Sequence, residues 1–237
     1  MKFSRKLAKL TQPLTYQRAW RRGQRYFYPV SFRSLVAAVD PGQLAAIQAE
    51  YADSREHYAK YADVHRWLRL NIVRAQDLKL QRCPPKSILD LGCGGGFFLF
   101  VAQQLGHRCL GLDADSFPLF PQLLDLLKVE RRLWTIHPFE PLPDLGRKFD
   151  LITGFSVEFN RKADWWWGPP EWEFFLNDLE RHLAPGGRVF FGLNPGPNKE
   201  FYTPELRDFF RRRGAAIERE NISFSASRAS TAGAEKN

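Results

Sequence analysis

From residue 87 onward, short apolar runs alternate with longer stretches of helical periodicity. Ser87–Leu91, Arg108–Leu112, Leu133–His137, Phe149–Thr153 and Arg188–Leu193 are each rich in apolar residues and bounded by Gly, Pro or charge, which predicts strands. Strands separated by helices pair in parallel, because a parallel neighbour is reached only through a crossover. The predicted fold class is therefore α/β: a Rossmann-like, doubly wound, mostly parallel sheet with helices on both faces. Between the last two runs, Trp172, Phe175, Leu176, Leu179 and Leu183 form the apolar face of a helix that ends at Pro185-Gly186-Gly187. A further helix is expected from Thr203-Pro204-Glu205 to near Gly214, leaving Ala215–Ser225 for one sixth strand.

The first third of the chain has a different pattern. Asp40 followed by Pro41 reads as an N-cap with a first-turn proline, opening a helical region that runs with breaks to about Leu80. Within it Tyr51, Tyr58, Tyr61, His65, Leu68 and Ile72 fall on one helical face. Such a stripe reads first as packing and second as a cover over a ligand. Earlier still, Phe3, Leu7, Leu10 and Leu14 recur at helical spacing while Lys2, Arg5, Lys6 and Lys9 mostly face elsewhere, and Pro13 shortens any helix there. This segment reads either as a solvated basic tail or as an amphipathic anchor for an anionic membrane surface. The expected organisation is a basic aromatic extension over 1–39, a helical segment over 40–82, the main domain over 83–226 and a polar, disordered tail over 227–237.

Charge sharpens this division. The chain of 237 residues carries a net charge of +9, yet eight basic residues lie between Lys2 and Arg25 and no acid precedes Asp40. The remainder holds 27 basic and 26 acidic residues, a near-neutral body that argues against a broad nucleic-acid surface. Cys83, Cys93 and Cys109 are odd in number and form no C-x-x-C pair, so neither a disulfide framework nor a metal site is expected. No apolar run approaches the roughly 18 residues of a membrane span, and the N-terminus lacks the apolar core of a secretory leader. A cytoplasmic location, at most peripheral to the membrane, is the expectation.

The chemistry concentrates in Ile88-Leu89-Asp90-Leu91-Gly92-Cys93-Gly94-Gly95-Gly96-Phe97-Phe98, a buried strand running into a glycine turn and then a helix. Glycines at 92, 94 and 96 permit a sharp turn and a close approach of backbone to ligand. About twenty residues on, Leu110-Gly111-Leu112-Asp113 ends the second strand in an acid able to accept hydrogen bonds from both hydroxyls of a ribose. Together these features describe an adenosine pocket. Nicotinamide and flavin proteins share them, but here the glycines are spaced G-x-G-x-G, with Phe97 where the dinucleotide fingerprint places its third glycine.

At this point the chain resembles the class I S-adenosylmethionine-dependent methyltransferases, through Leu89–Gly96, Asp113, Phe149-Asp150-Leu151-Ile152 and Leu183-Ala184-Pro185-Gly186-Gly187 in that order. The resemblance implies S-adenosylmethionine as cofactor, with Asp90, Gly92, Cys93, Gly94 and Gly96 around its methionyl part and Asp113 on its ribose. Relatives usually place an adenine-contacting Asp after the third strand. The matching stretch here is His137-Pro138-Phe139-Glu140, so Phe139 is expected to flank the base and Glu140 to supply a polar contact. Strand four ends at Gly154-Phe155-Ser156-Val157-Glu158-Phe159-Asn160, where the family places groups beside the transferable methyl. Phe155 is expected at the cofactor and Glu158 as the candidate catalytic base. The Asn/Asp-Pro-Pro-aromatic run of enzymes that methylate adenine or glutamine amides is absent. The short C-terminus leaves little room for the family's usual seventh, antiparallel strand.

Asp164-Trp165-Trp166-Trp167-Gly168-Pro169-Pro170-Glu171-Trp172 places four tryptophans within eight residues. They are expected either to wall an acceptor pocket or to cover a sheet edge or partner surface. His182 reads as structural. The expected activity is methyl transfer to a small molecule or a glycan or lipid intermediate. Two other readings are a non-catalytic scaffold that keeps the cofactor pocket and an NAD(P)-dependent oxidoreductase built on the same turn.

Overall fold

A computed structural model describes residues 23, 25–114, 116–162, 165–196 and 199–225. The apolar stripe expected over residues 3–14 and the tail from 227 lie outside the described residues. The chain divides into two compact units, residues 1–84 and 85–237.

The first unit is helical. Helix α1 (Phe32–Ala37) starts where the Ser31 hydroxyl accepts the Ser34 N–H at 3.2 Å. Helix α2 (Pro41–Glu50) is capped by the Asp40 carboxylate on the Gln43 N–H at 2.7 Å, with Pro41 in the first turn as predicted. Helix α3 (Val64–Asp77) is capped in the same way, with the Asp63 carboxylate on the Arg66 N–H at 3.1 Å. The aromatic stripe is not one continuous face, because turns after Tyr51 interrupt the helix. Its members instead pack locally: Tyr51 on Tyr58, His65 on Phe32, and Leu68 and Ile72 buried.

The second unit is a seven-stranded sheet in the order β3-β2-β1-β4-β7-β9-β8. Its strands are β1 (Ser87–Leu91), β2 (Arg108–Asp113), β3 (Arg131–Leu133), β4 (Phe149–Val157), β7 (Leu183–Leu193), β8 (Ala216–Glu218) and β9 (Asn221–Ser225). The five strands β3 through β7 in that order pair in parallel, while β9 runs antiparallel to both β7 and β8. Two short strands, β5 (Arg161–Lys162) and β6 (Trp165–Trp166), form a separate antiparallel ribbon that the sequence pattern did not signal. Helices α4 (Phe97–Gln104), α5 (Leu119–Leu127), α6 (Pro169–His182) and α7 (Pro204–Arg212) complete the unit.

Three expectations are corrected. The third strand lies at Arg131–Leu133, not Leu133–His137: it pairs with Gly111–Asp113 through its backbone, while Trp134 and Ile136 pack against the core from the following loop. Residues 134–148 between β3 and β4 contain no helix; the segment is tied down by the Leu142 N–H on the Asp178 carboxylate at 2.7 Å and by Leu142 and Leu145 in the core. The C-terminal stretch holds two strands, so the seventh, antiparallel strand is present. Glu218 pairs with Asn221 across a two-residue turn in which Arg219 takes a left-handed φ of 55°.

Of the tryptophan segment, Trp167 and Trp172 belong to the core. Trp167 and Trp172 are 1% and 0% exposed. The Trp172 ring lies 5.2 Å from Phe210 of α7 and 5.7 Å from Phe191 of β7, and Trp167 lies 5.4 Å from Phe175 of α6. These two rings clamp α6 and α7 against the sheet and do not wall a pocket.

His182 closes α6 and is buried, with Nε2 3.8 Å from the Asp178 carboxylate. Burial lowers its pKa below the ordinary 6.5, although Asp178 pulls the other way. The unfolded chain therefore binds the proton more readily, so this contribution to stability is full above pH 6.5 and is lost as pH falls through the lower folded value. The melting temperature is expected to drop between pH 7.5 and 5.5, and His182→Gln to flatten that drop; an unchanged pH profile in the variant would assign the acid sensitivity elsewhere.

Candidate cofactor and acceptor site

The strand order reverses at β1, which has β2 on one side and β4 on the other. The crossovers leaving β1 and β4 depart in opposite directions and open a crevice at the carboxyl ends of the strands. The glycine turn, Asp113 and Glu158 sit along that edge.

The turn after β1 is held by its own backbone. Gly92 N–H and Cys93 N–H both donate to the Leu112 carbonyl, at 2.8 and 3.2 Å, and Gly96 N–H donates to the Cys93 carbonyl at 3.0 Å. This geometry needs φ of 69° at Gly92, 54° at Gly94 and 78° at Gly96, the left-handed region that side chains oppose. The glycines also differ in what surrounds them. A Cβ on Gly96 would stand 2.8 Å from Leu124 and one on Gly95 2.8 Å from Leu123, so these two let α5 pack against the turn. A Cβ on Gly92 would meet nothing nearer than Val157 at 4.0 Å, leaving that side of the turn open to a ligand.

Asp113 ends β2 half-buried, with one carboxylate oxygen accepting the Gly94 N–H at 2.6 Å. The acid and the turn are thus one hydrogen-bonded unit. Asp90, 3% exposed, pairs in register with Gly111 on one side and Thr153 on the other, and accepts the Thr153 hydroxyl at 2.7 Å. Thr153 carries no motif and was not singled out from the sequence. Its role follows only from the register that puts β4 beside β1.

Cys93 turns its thiol away from the crevice. A Cβ on Gly111 would lie 2.5 Å from Cys93 Sγ, so the thiol fills the space that glycine leaves, and only the Cys93 backbone borders the turn. Burial, then the Asp113 and Asp90 carboxylates, push its pKa well above the ordinary value. The group is a packing thiol held in its neutral form.

Across the edge, Phe155 of β4 packs on Phe98 of α4 with ring centroids 4.7 Å apart. Ser156, with φ of 55°, is the irregular residue that breaks the β4–β7 ladder between Phe155 and Val157. This bulge aims Glu158 outward. Asn194, just past β7, donates to the Ser156 carbonyl at 2.8 Å and reaches Glu158 Oε1 at 3.5 Å. Asn194 thus ties the end of β4 to the end of β7. Phe139 and Glu140 stand differently. Phe139 is 54% exposed with φ of 61° and packs edge-on against Phe174 of α6, 5.9 Å away, while Glu140 is exposed. The observed contacts therefore join Phe139 to α6 and not to the Asp113 group. Phe120 of α5, which a Cβ on Gly94 would approach at 3.5 Å, lines the turn without having been foreseen.

A parallel sheet reversing at β1, a three-glycine turn and an acid closing on it from β2 define a nucleoside-binding α/β domain. Residues 89–191 match the family model described as a methyltransferase domain, and this match together with the relatives below supports a class I S-adenosylmethionine-dependent methyltransferase. S-adenosylmethionine is the cofactor of that family. The chain is 26% identical over 171 residues to a probable S-adenosylmethionine-dependent methyltransferase of Mycolicibacterium smegmatis, covering 66% of this chain and 62% of that protein. It is 33% identical over 155 residues to a demethylmenaquinone methyltransferase of Thermus thermophilus, with 62% of each covered. A ubiquinone biosynthesis O-methyltransferase of Pseudomonas fluorescens is 30% identical over 118 residues, covering 47% of this chain and 46% of that protein. The chain thus spans 62% of the length of the first two relatives.

Asp113→Ala removes both a candidate ribose acceptor and the acceptor of the Gly94 N–H. S-adenosylhomocysteine affinity is expected to fall by about 1.5–3 kcal/mol in calorimetric titration. Unchanged affinity would remove Asp113 from the cofactor site.

Proposed function

We propose that the chain transfers the methyl group of S-adenosylmethionine to a small-molecule acceptor at the carboxyl edge of β1 and β4. The observation that carries this reading is the bond from Gly94 N–H to Asp113, which joins the glycine turn and the ribose-type acid at the switch point of the sheet. In this reading Asp113 accepts from the ribose, the open side of Gly92 and the Cys93 backbone border the methionyl part, and Asp90 is held beneath it by Thr153. Phe155 borders the methyl group. The carboxylates of Asp90, Asp113 and Glu158 on one edge complement a cationic ligand.

When bound, S-adenosylmethionine supplies an electrophilic methyl on a positively charged sulfur. The task left to the protein is chiefly positioning an acceptor in line with that methyl and excluding water. Phe98, Phe155 and Phe190 provide apolar surface beside Ser156 for this. If the acceptor is a hydroxyl, Glu158 is the group placed to take its proton, and Asn194 restrains it by holding both Ser156 and Glu158. The names of two relatives, the demethylmenaquinone and ubiquinone biosynthesis enzymes, support an acceptor of quinone or phenol type, a lipid-like small molecule.

Calorimetry with S-adenosylmethionine, S-adenosylhomocysteine and NAD is the test of the cofactor. Saturable heats for the first two and none for NAD are expected; NAD heat alone would replace this reading with an oxidoreductase. Labelled methyl is then expected to enter a low-molecular-weight, solvent-extractable fraction, and label confined to protein or tRNA would overturn the acceptor class. With a hydroxyl acceptor in hand, Glu158→Gln should lower kcat about 10²–10⁴-fold, far more than it weakens cofactor binding. An unchanged kcat would show that no base is needed from this position.

A further inference from the structure

The first unit holds nearly all of the chain's excess charge. Residues 1–84 contain sixteen Lys and Arg against six Asp and Glu, whereas residues 85–237 contain nineteen against twenty. The first unit also presents unusual apolar surface. Tyr26 and Phe27 are 82% and 76% exposed, and Tyr28 and Leu70 are 47% and 41% exposed.

This exposed aromatic segment is pinned on both sides. Before it, both Asp77 carboxylate oxygens accept from Arg25 Nη2, at 2.7 and 2.8 Å, and Gln76 donates to the Arg25 carbonyl at 3.4 Å. After it, the Tyr28 carbonyl accepts from Gln76 at 3.2 Å and Gln81 at 3.4 Å, and the Arg82 guanidinium lies 4.1 Å over the Tyr28 ring. A segment tied down at Arg25 and Tyr28 still projects Tyr26 and Phe27 into solvent. On α3, Arg66 and Arg69 are exposed on the same helical face as Leu70, and Arg33 and Lys79 are exposed as well.

We infer that the first unit docks on an anionic lipid bilayer, with Tyr26 and Phe27 entering the headgroup region and exposed Lys and Arg residues of the same unit pairing with lipid phosphates. Amphipathic aromatic rings favour that depth, and arginines beside them gain from a negative surface potential. A single-stranded nucleic acid also attracts cations and rings, but it needs parallel ring faces to stack on. The Tyr26 and Phe27 rings stand edge to face at 83°, a wedge and not a platform. Among the described residues no helix is long and apolar enough to cross a membrane, so the contact would lie at the surface. This inference stands on the first unit and does not depend on methyl transfer.

The test is flotation of the full chain with vesicles of phosphatidylcholine alone and of phosphatidylcholine with one-third phosphatidylglycerol. Binding is expected only to the anionic vesicles and should weaken with salt. Tyr26→Ser with Phe27→Ser should cut partitioning about tenfold, and Arg66→Gln with Arg69→Gln by at least that much. Circular dichroism and S-adenosylhomocysteine titration of the same variants separate loss of docking from loss of fold or of the cofactor site. Absent or charge-independent vesicle binding, binding unaffected by the aromatic pair, or tighter binding to a single-stranded oligonucleotide than to anionic vesicles would each overturn the inference.

Discussion

The site depends on how closely the backbone of the first turn approaches the end of β2. Gly92 and Cys93 share the Leu112 carbonyl and Gly94 donates to Asp113, so two strand ends and a helix start meet within a few ångströms. That approach is possible only with left-handed backbone at positions 92, 94 and 96. It also fixes what surrounds the turn. Gly95 and Gly96 admit the leucines of α5, Gly111 admits the Cys93 thiol, and the side of Gly92 remains open. Packing thus consumes three of the local glycine vacancies and leaves one facing the crevice.

How much of this was legible in the sequence varied with the kind of signal each residue carries. Ser87–Leu91 was read with its observed bounds because a strand in the middle of a parallel sheet, covered on both faces, is apolar throughout. The edge strand Arg131-Arg132-Leu133 gives no such signal, since its pairing is carried by backbone groups and its side chains are largely exposed. The C-terminal hairpin was hidden because its turn uses Arg219 and Glu220, neither of them a usual left-handed residue. Tryptophan content alone carried no direction: the same rings suit a pocket wall or a core, and only the positions of Phe191 and Phe210 around Trp172 and of Phe175 beside Trp167 decided the matter.

The candidate site shows the same division. Asp90, Asp113 and the glycines were visible because they are tied to a contiguous motif or to the end of a recognisable strand. Thr153 and Asn194 were not, because each acts across strands remote in sequence: Thr153 on a residue 63 positions away, Asn194 on one 38 positions away. Their function is created by register, and register is a tertiary property. Phe139 is the intermediate case. It was expected to flank the base, but its ring packs on Phe174, because the β3–β4 connection is an irregular segment laid against α6.

The distribution of charge gives the two units separate electrostatic tasks. A ligand carrying a positive sulfur gains from the carboxylates at the edge of β1, β2 and β4, and that gain would be offset if the surrounding unit were strongly basic. Residues 85–237 are within one charge of neutral, so the acids of the crevice are not outweighed by their own unit. The cationic excess lies instead in residues 1–84, beside exposed rings, where it is suited to a negatively charged surface. Salt screens exposed charges beyond about 8 Å under physiological conditions, so such an excess acts chiefly on what touches it. Cofactor capture and surface attachment can therefore use opposite signs of charge within one chain, provided each is confined to its own unit.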